Sequence, residues 1–333
     1  MKKLLISATI SSILLATGCT EQVSTMNKTA TTQTDSVKAE QTNPLFMASS
    51  LTYGAPQFDL IKDEHFIPAF EKGMEQHLQE VEKIASNPDA PTFDNTLLAL
   101  EKSGSLLTRT SRVFFNLVGT DSSPERREIQ KILAPKLAAH SDTINLNSAL
   151  FKRIETLYNQ RDALELDTES TRLLEEYYSD FVRAGAKLNE SDKQKIREIN
   201  EEHSTLTTQF SQNLLAESSE IAVVVDDVEQ LSGMSERQIK AASDAAKAAD
   251  KEGKYLLSIT NTTRQPVLTS LENRALRQQV WEASAYRNQS GEYDNTKIIS
   301  RLAGLRAQKA ALLGFDSWAA YSLDKQMAGS PSA

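Results

Sequence analysis

"ESDKQKIREINEEHSTLTTQFSQNLLAE", residues 190–217, decides the fold class of this chain. Ile196, Ile199, Leu206, Phe210 and Leu214 return to one side of a 3.6-residue turn, with charged and amide residues between them. The run contains neither glycine nor proline, so nothing breaks it, and the spacing predicts one long helix with a single apolar stripe. Directly afterwards the period changes. "EIAVVVDD" (220–227) and "KYLLSIT" (254–260) are β-branched or apolar runs too short for helices. Between them "SERQIKAASDAAKAADKEG" (235–253) reads as an alanine-rich helix closed by Gly253. Two strands around one helix predict a small two-stranded β element on a helical body.

Working outward, the helical period persists. In "DEHFIPAFEKGMEQHLQEVEKIAS" (63–86), Phe66, Phe70, Met74, Leu78, Val81 and Ile84 share a face. Pro68 falls early enough to belong to a first turn. "SSPERREIQKILAPKLAAHSD" (122–142) opens with a serine cap, Pro124 at the first helical position and acids behind it. Further helices are expected over about 94–117, 143–163, 169–184, 267–288 and 294–313. With 12 glycines and 9 prolines in 333 residues, backbone breakers are scarce, which again favours long helices over a many-turned β protein. The fold class expected is mostly α.

The net charge of −8, with no Lys/Arg-rich run, argues against a nucleic-acid partner. At the N-terminus, Lys2 and Lys3 precede an apolar run from Leu4 to Ala16 and the sequence Ala16-Thr17-Gly18-Cys19. A charged start, a short apolar run and small residues before a cleavage point make an export signal. The run is too short to span a bilayer, which needs about 20 residues. Cys19 is the only cysteine, so no disulfide forms within the chain. The segment resembles a bacterial lipobox, with Ala16 where leucine is commoner. It implies a signal peptide over 1–18, lipidation of Cys19 and a membrane-anchored protein of the cell envelope. Residues 19–50, rich in Thr, Ser and Gln, bury too little to offset their ordering entropy and are expected to be a flexible tether. The body is expected over 51–333.

Catalytic constellations are not visible. His65, His77, His140 and His203 contain no i, i+4 pair of the kind that places two imidazoles on one helix face for zinc. All four read as surface or partly buried helix residues. The acidic pairs Glu175-Glu176 and Glu201-Glu202 read as solvated helix faces, and Tyr177-Tyr178 and Phe114-Phe115 as packing. No phosphate loop and no G-x-S-x-G elbow occurs.

Longer segments carry a resemblance. "FDLIKDEHFIPAFEKGM" (58–74), "NPDAPTFDNTLLALEKSGSLLTRTSRVFFNL" (87–117), "APKLAAHSDTINLN" (134–147), "YYSDFVRAGAKL" (177–188) and "LTTQFSQNLL" (206–215) are five of them. "NTTRQPVLTSLENRALRQQVWEAS" (261–284) and "RLAGLRAQKAALLGFDSWAAYSLDKQMA" (301–328) continue the series. Together they resemble the thimet-oligopeptidase-like zinc metallopeptidases, in the bacterial peptidyl-dipeptidase (Dcp) branch. The resemblance implies an elongated helical protein split by a channel for short peptides. It also implies zinc held by an H-E-x-x-H helix and a downstream glutamate, with release of C-terminal dipeptides. Residues from Phe58 to Met327 resemble only the N-terminal half of such proteins. No residue here corresponds to a zinc ligand or the general base, so no zinc binding is expected of this chain, and its peptide contacts stay unassigned. The expectation is therefore one channel wall, inactive alone, with Ala333 interrupting the pattern and a separate catalytic half as a conceivable partner. The alternative is a catalytically dead helical lipoprotein that binds peptides or a partner protein.

Overall fold

A computed structural model describes residues 43–333. The export signal expected over 1–18, Cys19 and most of the tether expected over 19–50 lie outside the described residues. The chain divides into two units, one ending at His65 and one running from Phe66 to Ala333. In the first, short 3-10 turns form at Pro44–Phe46, Thr52–Gly54 and Asp63–His65. Asn43 caps the first turn through its Oδ1, and its Nδ2 donates to His65 O at 2.8 Å.

The second unit is helical apart from one small sheet, as the periodicity predicts. Its helices are α1 (Phe66–Ala85), α2 (Ser105–Thr120), α3 (Pro124–Asn145), α4 (Ser148–Asn159), α5 (Thr168–Ala184) and α6 (Glu190–Glu220). After β1 (Ala222–Val225) come α7 (Glu236–Ala248), β2 (Tyr255–Ser258), α8 (Arg264–Ser270), α9 (Arg274–Ala285), α10 (Thr296–Leu312) and α11 (Trp318–Leu323). β1 and β2 pair antiparallel, Ala222 opposite Ser258 and Val225 opposite Tyr255.

Two cores follow from the two periods. Val81, Leu97, Leu150, Ile154, Leu157, Leu174 and Phe181 bury together where α1, α4 and α5 meet. Val225, Leu231, Leu257, Leu271, Leu276 and Val280 form a second cluster under the small sheet. Phe114 on α2 lies edge-on to Phe66 and Phe70 of α1, with ring centroids 5.0 and 5.5 Å away, a favoured aromatic geometry. The long helix α6 packs along α3 on one side and α10 on another.

Three expected helices are interrupted, each for a local reason. The run over 94–117 starts as a π-helical stretch, Phe93–Leu98, and breaks before Gly104. Gly104 has φ +68°, and a Cβ there would stand 2.8 Å from His77 Nδ1; only glycine fits both constraints. The run over 143–163 divides at Asn147, whose Oδ1 accepts from the N–H groups of Ala149 and Leu150 to cap α4. The run over 267–288 divides because Glu272 N donates to Ser232 O and Asn273 caps α9.

Candidate functional site

The histidine reading needs one correction. His77 on α1 and His140 on α3, 63 positions apart, meet with Nδ1 of the first 3.0 Å from Nε2 of the second. His77 Nε2 is 3.1 Å from Ser103 Oγ, which itself donates to Leu100 O at 2.6 Å. Because the serine proton is committed to that carbonyl, His77 Nε2 must carry the proton shared with Ser103. His77 Nδ1 is then an acceptor, and His140 Nε2–H donates to it. His140 Nδ1 is left buried without a partner, and as an unprotonated nitrogen it loses less than a stranded N–H would. Burial, reinforced by the charge of His77, holds His140 down at about 4. Burial also lowers His77, against a pull upward from Glu80.

Do these residues fit a zinc ion? The lone pair of His77 Nδ1 is taken up by the His140 N–H, and that of His140 Nδ1 is buried with no second ligand beside it among the described residues. His77 Nδ1 and His140 Nε2 face each other along one hydrogen bond, and among the described residues no three His, Cys, Asp or Glu side chains converge. His203 on α6 receives Arg306 Nε at 3.3 Å instead. His65 belongs to the preceding unit, where its Nδ1 accepts from Lys62 N. The donor set does not suit zinc.

Three concave surfaces lie along α6, and another of about 530 Å³ lies among α7, β2 and α8. Between α3 and α6, Arg127, Lys131, Thr205, Thr208 and Gln209 line a cleft of about 390 Å³. Behind it Gln212, nearly buried, donates to Arg127 O and Gln130 Oε1. Between α6 and α10, Ile199, Glu202, Arg301 and Leu305 border a cleft of about 540 Å³, closed at one side by the two-pronged Arg301–Glu202 pair at 2.6 Å. A third cavity, about 520 Å³, lies where α3, α5, α6, α10 and α11 come together. On its wall Asn200 Nδ2 donates to Asp142 Oδ1 at 2.7 Å, and Lys309 Nζ donates to Asn200 Oδ1 at 2.6 Å. Sequence reasoning missed this trio, which comes from three helices and follows no spacing rule.

The acidic pairs behave as read. Glu176 pairs with Arg172 and Lys325, and Glu202 with Arg301. Tyr178 stacks on Tyr158 with centroids 3.7 Å apart, while Tyr177 donates its hydroxyl to Glu101.

Residues 267–333, from the end of α8 through α11, match the sequence model of peptidase family M3. Over 292 residues the chain is 42% identical to the dipeptidyl carboxypeptidase of Escherichia coli, an alignment covering 87% of this chain and 43% of that protein. By these matches the chain is similar to peptidases of family M3 over most of its length. Oligopeptidase A of Escherichia coli is 30% identical over 295 residues, again 87% of this chain and 43% of the relative. Probable cytosolic oligopeptidase A of Arabidopsis thaliana is 24% identical over 86% of the chain. The chain thus spans under half the length of the M3 relatives it matches.

These relatives overturn the expected location. The envelope lipoprotein inferred from residues 1–19 does not agree with the relatives, of which the Arabidopsis thaliana protein is named a probable cytosolic oligopeptidase. Among the described residues no helix is long and apolar enough to cross a membrane. The inference failed because a short apolar run next to one cysteine is a local pattern, whereas the family resemblance rests on most of the chain.

Proposed function

We propose that residues 51–333 form the N-terminal helical half of a zinc peptidyl-dipeptidase, an enzyme that releases dipeptides from the C-termini of short peptides. The supporting observation is the ordered 42% identity to a dipeptidyl carboxypeptidase across 87% of this chain, in a body whose donor set does not suit zinc. On this reading the chain supplies one wall of a peptide channel, and the clefts along α6 are its candidate contact surfaces. Metal and water activation reside in the portion of the relatives that this chain does not match. The chain alone is then inactive, and its partners are short peptides and a catalytic half.

The test is an assay of the purified chain on a blocked tripeptide, with and without a chelator, alone and after joining it to the remaining portion of the Escherichia coli relative. Silence alone and chelator-sensitive dipeptide release in the joined protein support the reading. Chelator-sensitive hydrolysis by the chain alone overturns it. A joined protein that folds and stays silent also overturns it, in favour of a non-catalytic helical protein that binds peptides or a partner.

A further inference from the structure

We propose that the cavity shared by α3, α5, α6, α10 and α11 binds a zwitterion, the ammonium and carboxylate of a free amino acid or of the two ends of a short peptide. The proposal needs neither zinc nor hydrolysis, so it does not rest on the peptidase reading.

The charges around the cavity fall into two sets. The outer set is committed to protein partners. Arg183 reaches Asp324 and Tyr321 O and lies 4.4 Å from the Tyr321 ring, while Asp180 accepts from Lys325. The inner set is committed only in part, through Asn200. Asp142 is only 7% exposed, and its Oδ2 has no hydrogen-bond partner. Lys309 spends one of its three N–H donors on Asn200. Asp142 and Lys309 do not pair directly; the Asn200 amide stands between them, accepting from one and donating to the other. A buried carboxylate oxygen and an ammonium with spare donors are therefore held one amide apart on the same cavity wall.

Leaving that arrangement unmet is costly, because a buried charge without its full hydrogen-bond complement loses its solvation uncompensated. Burial accordingly raises the Asp142 carboxyl and lowers the Lys309 ammonium, each toward its neutral form. A ligand must answer both groups. A metal cation finds no cluster of acidic or imidazole donors, and a simple anion would meet Lys309 while leaving Asp142 worse off. The lining balances Asp142 and Asp180 against Arg183 and Lys309, so a net-charged guest gains less than one carrying both signs. An ammonium beside Asp142 Oδ2 and a carboxylate beside Lys309 satisfy both at once.

The test is calorimetric titration of the full chain with L-alanine and with L-alanyl-L-alanine. N-acetylated and C-amidated forms of each serve as controls. Saturable binding of at least one zwitterion is expected, weakened roughly tenfold or more when either end is blocked, as befits a charged hydrogen bond. Binding of alanine alone identifies a free amino acid as the occupant, and binding of the dipeptide alone identifies a short peptide. Asp142→Asn should produce a similar loss. Ser141→Trp, at an exposed rim position, should close the cavity with the thermal transition unchanged, and it remains decisive if Asp142→Asn fails to fold. The proposal is overturned if neither zwitterion binds up to about 10 mM, a limit that already corresponds to very weak affinity. It is also overturned if binding survives Ser141→Trp.

Discussion

His77 and His140 share one proton-bearing hydrogen bond, Nδ1 to Nε2 at 3.0 Å, and so tie α1 to α3 across 63 residues of sequence. The contact suits two neutral imidazoles. Protonating His77 at Nδ1 would set two N–H groups face to face. Protonating His140 at Nδ1 would leave a buried, charged ring with an N–H that has no acceptor, in a site where burial already disfavours charge.

A pH dependence follows. His140 is held at about 4 in the folded chain against an ordinary 6.5. Between those values the unfolded chain binds more protons than the folded one, so the stabilisation is complete above about pH 6.5 and lost as the pH falls toward 4. The loss should be on the order of 2 kcal/mol after allowance for solvent reaching the pair. Urea midpoints from pH 7.5 to 4 would show it, and His140→Gln should flatten the curve over that window. An unchanged slope in the variant removes the pair as the cause.

Gly104 makes room for that pair. Its φ of +68° and the 2.8 Å approach a Cβ would make to His77 Nδ1 act together. Gly104→Ala should cost about 1–3 kcal/mol, from left-handed strain plus displacement of the ring. The same variant should shift the acid transition, because the His77 ring must move. A change under about 0.5 kcal/mol in the denaturation midpoint would mean that the ring yields without resistance.

Phe114 and Phe115 look equivalent in sequence and differ in the fold. Phe114 is fully buried between Phe66 and Phe70, whereas Phe115 is 42% exposed. Phe114→Ala should therefore cost about 3–5 kcal/mol and Phe115→Ala about 1 kcal/mol or less. Equal losses in chemical denaturation would contradict the packing described here.

These contrasts mark what could be read in advance. The α6 stripe from Ile196 to Leu214 and the change of period at Ile221 are local patterns, and both elements form where expected. The two-stranded sheet was equally legible, because the β-branched run at 222–225 and the apolar run at 255–258 are too short for helices. The interruptions were not. Gly104 breaks a helix because of His77, and Glu272 leaves one because of Ser232, and neither partner is a sequence neighbour. The candidate site was hidden for the same reason. Asp142, Asn200 and Lys309 meet only after three helices pack, so no spacing announces them.

Arg153 is the clearest such partner, and substitution there should separate charge from geometry. On α4 and 7% exposed, its Nη1 donates to Asn87 O and Asp89 O at 2.9 and 3.0 Å, and its Nη2 to Asn95 Oδ1 at 2.9 Å. Asn95 in turn donates to Ala90 O and shares a capping box with Thr92 at the start of the π-helical stretch. One guanidinium thus holds the whole 87–95 connection against α4. Arg153→Met keeps the buried stem but strands two carbonyl acceptors, Asn87 O and Asp89 O, since Asn95 Oδ1 keeps its bonds from Thr92 and Thr96, and should cost about 2–4 kcal/mol. Arg153→Lys retains the charge but cannot present two donors in one direction and a third in another, so it should recover less than half of that loss. Amide exchange would locate the effect. Protection should fall over residues 87–104 in both variants, while α6 and α10 stay as they were. If Arg153→Lys restores full protection, charge alone holds the connection, and the fork geometry is not needed.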